Sequence, residues 1–232
     1  MSINNCNHSS NQESLDSCVA KVPIFNHLDR NQLDEIMRTV QSTTFQKGDP
    51  IYQAGDTSDT LYIVHKGRVK IYHLAPDGKE HIVSLLFPGD FTGEYALFNE
   101  TIHESYAEAL EKTQMCRIKR EDLQAILEEY PSISLKVSQE FSQKLMQSEQ
   151  QSTYFATEKV HTRIALYLAD LYDKQNEAVI ELPVSRKDLA GYLGTTPETI
   201  SRKILELEDN GYLKQHTSRK IELFELEKLR QI

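Results

Sequence analysis

At 232 residues, the chain is long enough for two domains of ordinary size, each with its own core. Its 26 Lys and Arg against 35 Asp and Glu leave a formal net charge of -9, which excludes a uniformly basic surface that coats nucleic acid without selection. No apolar run approaches the roughly 20 residues of a membrane span and no charged-then-apolar leader is present, so the expectation is a cytoplasmic protein with no membrane partner.

Residues 1–22 are rich in Asn, Ser and Gln and poor in apolar positions, which predicts a flexible segment carrying Cys6 and Cys18. A short helix follows, with Leu33, Ile36 and Val40 at helical spacing and Asp29 as its cap. From Thr43 to Ile118 the pattern changes to short β-branched and aromatic runs, with Gly48, Gly55, Gly67, Gly78 and Gly89 spaced by 7, 12, 11 and 11 residues. Regular short strands with a turn at each glycine predict a jelly-roll-like barrel, with one turn at Lys66-Gly67 and another at Asp77-Gly78. Residues 120–129 read as a helix that Pro131 interrupts. The expected barrel domain thus covers 23–130.

A long helix is predicted over 131–157. Ile133, Val137, Phe141, Leu145, Ser148, Ser152 and Phe155 recur in steps of four and three and make one stripe. Such a stripe packs either on its own barrel or on a second copy, and the expected dimer contacts are Val137, Phe141, Leu145, Ser148 and Phe155. A two-fold dimer would set two DNA-reading elements about one helical turn of DNA apart.

Residues 158–232 hold those elements. Ser185 with Asp188 three residues on is a capping signal for a short helix that buries Leu189 and Leu193 and stops at Gly194. Thr196 caps a second helix with Pro197 in its first position. Ile200, Ile204 and Leu207 fall on its inner face, and Glu198, Ser201 and Arg202 on another. In a major groove Arg pairs bidentately with guanine, Glu accepts from the cytosine amino group, and Ser is adaptable. The run GYLKQHTSRKIELFE then predicts a wing hairpin around His216–Ser218. Ser185, Arg186, Thr196, Thr199, Lys203 and Lys220 are the expected phosphate contacts, with Lys214 and Arg219 beside them in the wing. Residues 159–232 hold 12 basic and 12 acidic residues, so the acidic excess lies upstream of this locally basic patch. No catalytic constellation is expected: His161, Arg163 and Asp170 lie on an amphipathic helix whose solvated face accounts for them.

Barrel, long helix and winged helix-turn-helix in this order, an α+β architecture, resemble the Crp/Fnr family of bacterial transcription regulators. QKGDPIYQAGD, LYIVHKGRVKIY, PGDFTGEYALF and LGTTPETISRKILELEDNGYL carry the resemblance. It implies a cyclic-nucleotide-binding-type barrel, a parallel dimer along the long helix, and double-stranded DNA and RNA polymerase as partners. Glu198, Ser201 and Arg202 match the E-x-x-S-R arrangement of the Fnr-like branch, implying half-sites of TTGA type in an inverted repeat. Members that bind cyclic AMP pair a Gly-Glu motif with an Arg-Ser pair. Here Gly93-Glu94 is met by Glu104-Ser105, and a carboxylate facing a phosphate argues against cyclic AMP.

The cysteines are the alternative trigger. Cys116 resembles the distal cysteine of oxygen-sensing Fnr proteins and Cys18 the last of their N-terminal group, whereas the clustered C-x-x-C is missing. An iron-sulfur site would need a fourth ligand such as His8 or Asp16, Cys6, His8, Cys18 and Cys116 would together suit another metal, and a reversible disulfide from Cys116 to an N-terminal cysteine, as the resemblance to Flp-type members implies, needs no cofactor. A lone barrel cysteine is also a common small core residue. The expected signal is therefore redox state or oxygen; the other readings are a regulator controlled by a cyclic nucleotide or another small ligand in the barrel, and a ligand-binding interaction module whose C-terminal helices only pack.

Overall fold

The computed structural model describes residues 22–97 and 101–232. Of the described residues, those up to 145, apart from 80–82, form one compact unit; Met146–Ile232, with Glu80–Ile82, form the other. The division falls inside the long helix.

In the first unit a helix α1 (Arg30–Thr39) opens on a capping box, in which Asp29 accepts from the Gln32 amide and the Gln32 side chain accepts from the Asp29 amide. Val40 ends this helix as its C-cap. Ten strands follow: β1 (Gln41–Phe45), β2 (Pro50–Tyr52), β3 (Thr57–Ser58), β4 (Thr60–Lys66), β5 (Val69–Leu74), β6 (Glu80–Leu86), β7 (Phe91–Thr92), β8 (Thr101–Ile102), β9 (Tyr106–Ala109) and β10 (Thr113–Lys119). They form two four-stranded sheets, β1-β10-β4-β7 and β2-β9-β5-β6, and the short pair β3-β8. Two helices follow, α2 (Arg120–Glu129) and α3 (Pro131–Thr157).

Within the sheet β1-β10-β4-β7, strands β4 and β10 are buried on both faces, which explains the continuous apolar run in β4. Leu61 and Ile63 share a core with Val22, Phe25, Ile36, Leu123 and Ile133, so they face the helices. Val64 belongs to the other core, with Ile51, Val69, Leu86 and Ala107. Strand β10 alternates in the same way: Cys116 and Ile118 join the helical core, and Met115 the core of the barrel.

The turns behave as the glycine spacing predicts. Gly67 adopts φ +96° between β4 and β5, and at Asp77-Gly78 the Gly78 amide donates to the Ala75 carbonyl while the Asp77 carboxylate accepts from the Lys79 amide.

The stripe along α3 divides. Ile133 and Val137 are buried in the core of the first unit and Phe141 packs half-buried against it. Val137 therefore serves its own barrel rather than a dimer, because a side chain already enclosed has no surface left for a partner. Leu135, Leu145 and Met146 stay 69%, 61% and 58% exposed, and Ser148 is exposed as well. The side chain of Phe155 lies outside the described residues. Among the described residues no helix is long and apolar enough to cross a membrane.

In the second unit come α4 (Val160–Gln175), β11 (Val179–Glu181), α5 (Arg186–Tyr192), α6 (Pro197–Asp209), β12 (Leu213–Gln215), β13 (Lys220–Leu223) and α7 (Leu226–Leu229). The strands form one sheet in the order β11-β13-β12. Ile164, Leu168, Leu189, Ile200, Ile204, Leu207 and Ile221 are fully buried. The inner face predicted for α6 is thus its core face.

Candidate nucleic-acid interface

The two helices α5 and α6 are set by their caps. Ser185 Oγ accepts from the Asp188 amide at 3.1 Å, and α5 ends at Leu193, whose amide donates to the Leu189 carbonyl. Gly194 turns the chain at φ +63°, a left-handed conformation that side chains disfavour. Arg163 Nη1 donates to the Leu193 carbonyl at 2.7 Å and ties this turn to α4. Thr196 Oγ1 then accepts from the Thr199 amide at 3.3 Å, with Pro197 in the first turn of α6.

Three side chains expected to read bases emerge differently from α6. Glu198 and Arg202 are exposed. The amide of Glu198 and the hydroxyl of Thr196 hold the Glu198 carboxyl below the usual carboxylate range, so it stays a hydrogen-bond acceptor. Ser201 is half-buried because Arg186 lies against it, with Nη1 donating to Ser201 Oγ at 3.0 Å. The same guanidinium donates through Nη2 to Gln215 Oε1 at 2.6 Å and through Nε to the Ser218 carbonyl at 3.3 Å. Gln215 is fixed in turn: its amide and its Nε2 donate to the two carboxylate oxygens of Glu208, both at 2.8 Å. Helix α5, helix α6 and the wing are joined through this one chain of contacts. Sequence spacing did not reveal it, because Gln215 meets Glu208 across the α6–β12 turn and no periodicity marks that pair.

The wing closes by His216 N donating to the Lys220 carbonyl and Lys220 N donating to Thr217 Oγ1, both at 2.9 Å. Lys214, His216, Thr217, Ser218, Arg219 and Lys220 are all exposed on it. Among the expected phosphate contacts, Lys220 is exposed, whereas Lys203 pairs with Glu206 at 2.6 Å. Arg186 is engaged within the domain, and Ser185, Thr196 and Thr199 are used in capping.

Elsewhere the expected sites are placed as follows. Gly93 stands at φ +83°, and a Cβ there would lie 2.2 Å from the Thr60 carbonyl oxygen, so glycine is required by the barrel turn itself. Glu94 forms an ion pair with Lys144 of α3 at 2.6 Å. Glu104 is exposed, and Ser105 hydrogen-bonds Tyr52, which is also bonded to Thr92 at 2.8 Å. Cys116 is completely buried on the helical side of its sheet. Cys6, His8, Asp16 and Cys18 lie outside the described residues, and among the described ones no group of three or more His, Cys, Asp or Glu is placed to hold a metal. Asp170 pairs with Lys174 at 2.7 Å, and Arg163 donates to the Leu193 carbonyl.

Residues 42–130 match the cyclic nucleotide-binding domain family and residues 162–232 the Crp-like helix-turn-helix domain family. The chain is 33% identical over 193 residues to a protein of Lacticaseibacillus casei described as "Probable transcriptional regulator flp", covering 83% of this chain and 88% of that one. It is 34% identical over 190 residues to the nitrogen fixation regulation protein FixK of Rhizobium meliloti, covering 82% and 85%. Among solved structures, FixK2 from Bradyrhizobium japonicum superposes with a TM-score of 0.75 at 26% identity, over 83% of this chain and 96% of that one.

Proposed function

The chain belongs to the Crp/Fnr family of DNA-binding transcriptional regulators, and from that premise we propose that it acts as a homodimer reading an inverted repeat of TTGA-type half-sites. The observation that carries this is the exposure of Glu198 and Arg202, four residues apart near the capped N-terminus of α6. From there one helix presents an acceptor and a bidentate donor to neighbouring base edges of a major groove. Lys220 and Arg219, exposed on the wing, supply phosphate contacts alongside. The second copy docks on α3 through Leu135, Leu145 and Met146. The first and last of these fall on nearly one line at about 100° per residue, on the face opposite buried Val137. RNA polymerase completes the proposed set of partners.

Competition binding tests the reading. A duplex with one such inverted repeat should displace labelled DNA far better than a shuffled duplex of equal length, and equal displacement by both would remove the sequence-reading role.

Redox control through cysteines belongs to the same proposal. Its support is that Val22, where the segment bearing Cys6 and Cys18 joins the described chain, lies in the same core as Cys116. Oxidation by diamide would couple two thiols with loss of two protons and two electrons to the oxidant. DNA affinity should then differ between diamide-treated and reduced protein, and Cys116→Ala should erase the difference. Equal affinity in the two states would remove the thiol switch and leave the DNA-reading proposal standing.

A further inference from the structure

We infer that Arg186 determines what Ser201 reads, by turning its hydroxyl into a hydrogen-bond donor toward DNA, and so acts as a specificity-positioning residue rather than a phosphate clamp. The inference rests on the proposal that this face of α6 reads bases. A serine hydroxyl is both donor and acceptor, so a free serine on a reading helix discriminates poorly among base edges. Ser201 is not in that state. Guanidinium groups only donate, so the 3.0 Å contact from Arg186 Nη1 makes Ser201 Oγ the acceptor. The charge beside that oxygen orients the hydroxyl proton away from Arg186. With one of its two lone pairs taken and a positive charge beside the oxygen, Ser201 is biased toward donating its O–H to carbonyl oxygens or ring nitrogens such as thymine O4, guanine O6 or a purine N7, over accepting from a cytosine amino group.

The arrangement is built to hold. Arg186 is fixed by Gln215 at 2.6 Å and by the Ser218 carbonyl at 3.3 Å, and Gln215 is fixed by two bonds to Glu208. Hydrogen bonds to those amide groups hold the Glu208 carboxyl below its usual range, so it remains an acceptor for Gln215. A planar fork places three separate nitrogens against Ser201, Gln215 and Ser218, whereas a lysine carries its donors on a single nitrogen that cannot stand at all three places. A phosphate clamp needs only the charge, which lysine also supplies.

That difference is the test. The full chain is titrated against duplexes carrying the inverted repeat and every single-base change within one half-site. Ser201→Ala identifies the base pair that Ser201 reads. Arg186→Lys should lower the preference at that same base pair by about three- to tenfold, leave the other base pairs unchanged, and leave the thermal unfolding midpoint close to that of the parent chain. Arg186→Ala should relax the same position. Preference lost in Ser201→Ala but kept in Arg186→Lys would overturn the inference while sparing the DNA-reading proposal, and so would a uniform loss of affinity across all sequences. Unchanged preference throughout in Ser201→Ala would remove Ser201 from the reading, and this inference with it.

Discussion

Lys144 of α3 reaches the barrel at Glu94, with Nζ 2.6 Å from Glu94 Oε1 and 3.2 Å from the Phe91 carbonyl, and stands 4.0 Å above the Phe91 ring. Three attractive contacts thus converge on one ammonium where the long helix passes the strand β7. Its carboxylate partner is 15% exposed, so solvent screens the pair less than an ordinary surface bridge. Lys144→Ala should lower the stability of the full chain by about 1–2 kcal/mol. Glu94→Gln, which keeps an acceptor, should cost less. Urea unfolding of the two variants checks the order, and equal stability of Lys144→Ala and the parent chain would show that the contact is too solvated to matter.

The residue before that carboxylate is constrained more severely. At Gly93, φ is +83° and a Cβ would stand 2.2 Å from a backbone oxygen, that of Thr60. Backbone cannot move aside as a flexible side chain can. Gly93→Ala should therefore destabilise by roughly 2–5 kcal/mol, combining a left-handed conformation with a steric overlap. At Gly78, where φ is +80° but nothing stands within 4 Å, alanine should cost only the conformational part. Thermal denaturation of the pair separates the two contributions.

His103 makes the barrel sensitive to pH. Its ring stacks on Tyr52 with centroids 3.7 Å apart. Burial pushes its pKa below the ordinary imidazole value, against the opposing pull of the Asp56, Asp59 and Glu94 carboxylates. In the unfolded chain the imidazole takes up a proton as pH falls through about 6.5, while the folded one resists. Proton uptake then favours unfolding, so this contribution is fully present above about pH 6.5 and is lost as pH drops toward the folded-state pKa. His103→Gln should flatten the decline in stability between neutral and mildly acidic pH. A slope identical to that of the parent chain would assign it to other groups.

The sequence made local structure legible wherever one residue sufficed to set it. Ser185 and Thr196 cap the helices they were expected to cap, and Gly194 makes the turn between them. Glycine spacing marked the turns of the barrel. What periodicity cannot tell is which neighbour a stripe meets. Val137 and Leu145 lie on one apolar pattern, yet Val137 is buried in the core of its own unit and Leu145 faces outward, because eight residues at about 100° each turn Leu145 roughly 80° away from Val137 around α3. Cys116 shows the same limit: its alternation with Met115 fixes that they face opposite ways, but only the packed helices show that Cys116 faces α1 and α2. The links from Arg186 to Ser201 and Gln215 join residues 15 and 29 positions apart, distances that only the packed helices α5 and α6 and the folded wing close.

Arg202 and Lys220 should fail in different ways when removed. Both are exposed cations, but Arg202 extends from α6 six residues after its cap, whereas Lys220 starts β13, the central strand of the C-terminal sheet, beside the tip of the wing. A guanidinium that pairs bidentately with a guanine contributes discrimination, so Arg202→Ala should cost roughly 1–3 kcal/mol of binding and relax the preference at one base pair. An ammonium against a phosphate contributes charge neutralisation alone, so Lys220→Ala should weaken binding to all sequences alike and reduce the slope of log affinity against log salt by about one. Titrations at several salt concentrations, with specific and mutated half-sites, measure both quantities together. If Arg202→Ala changes only the salt slope, its guanidinium lies on the phosphate backbone, and the base-reading face of α6 is reduced to Glu198 and Ser201.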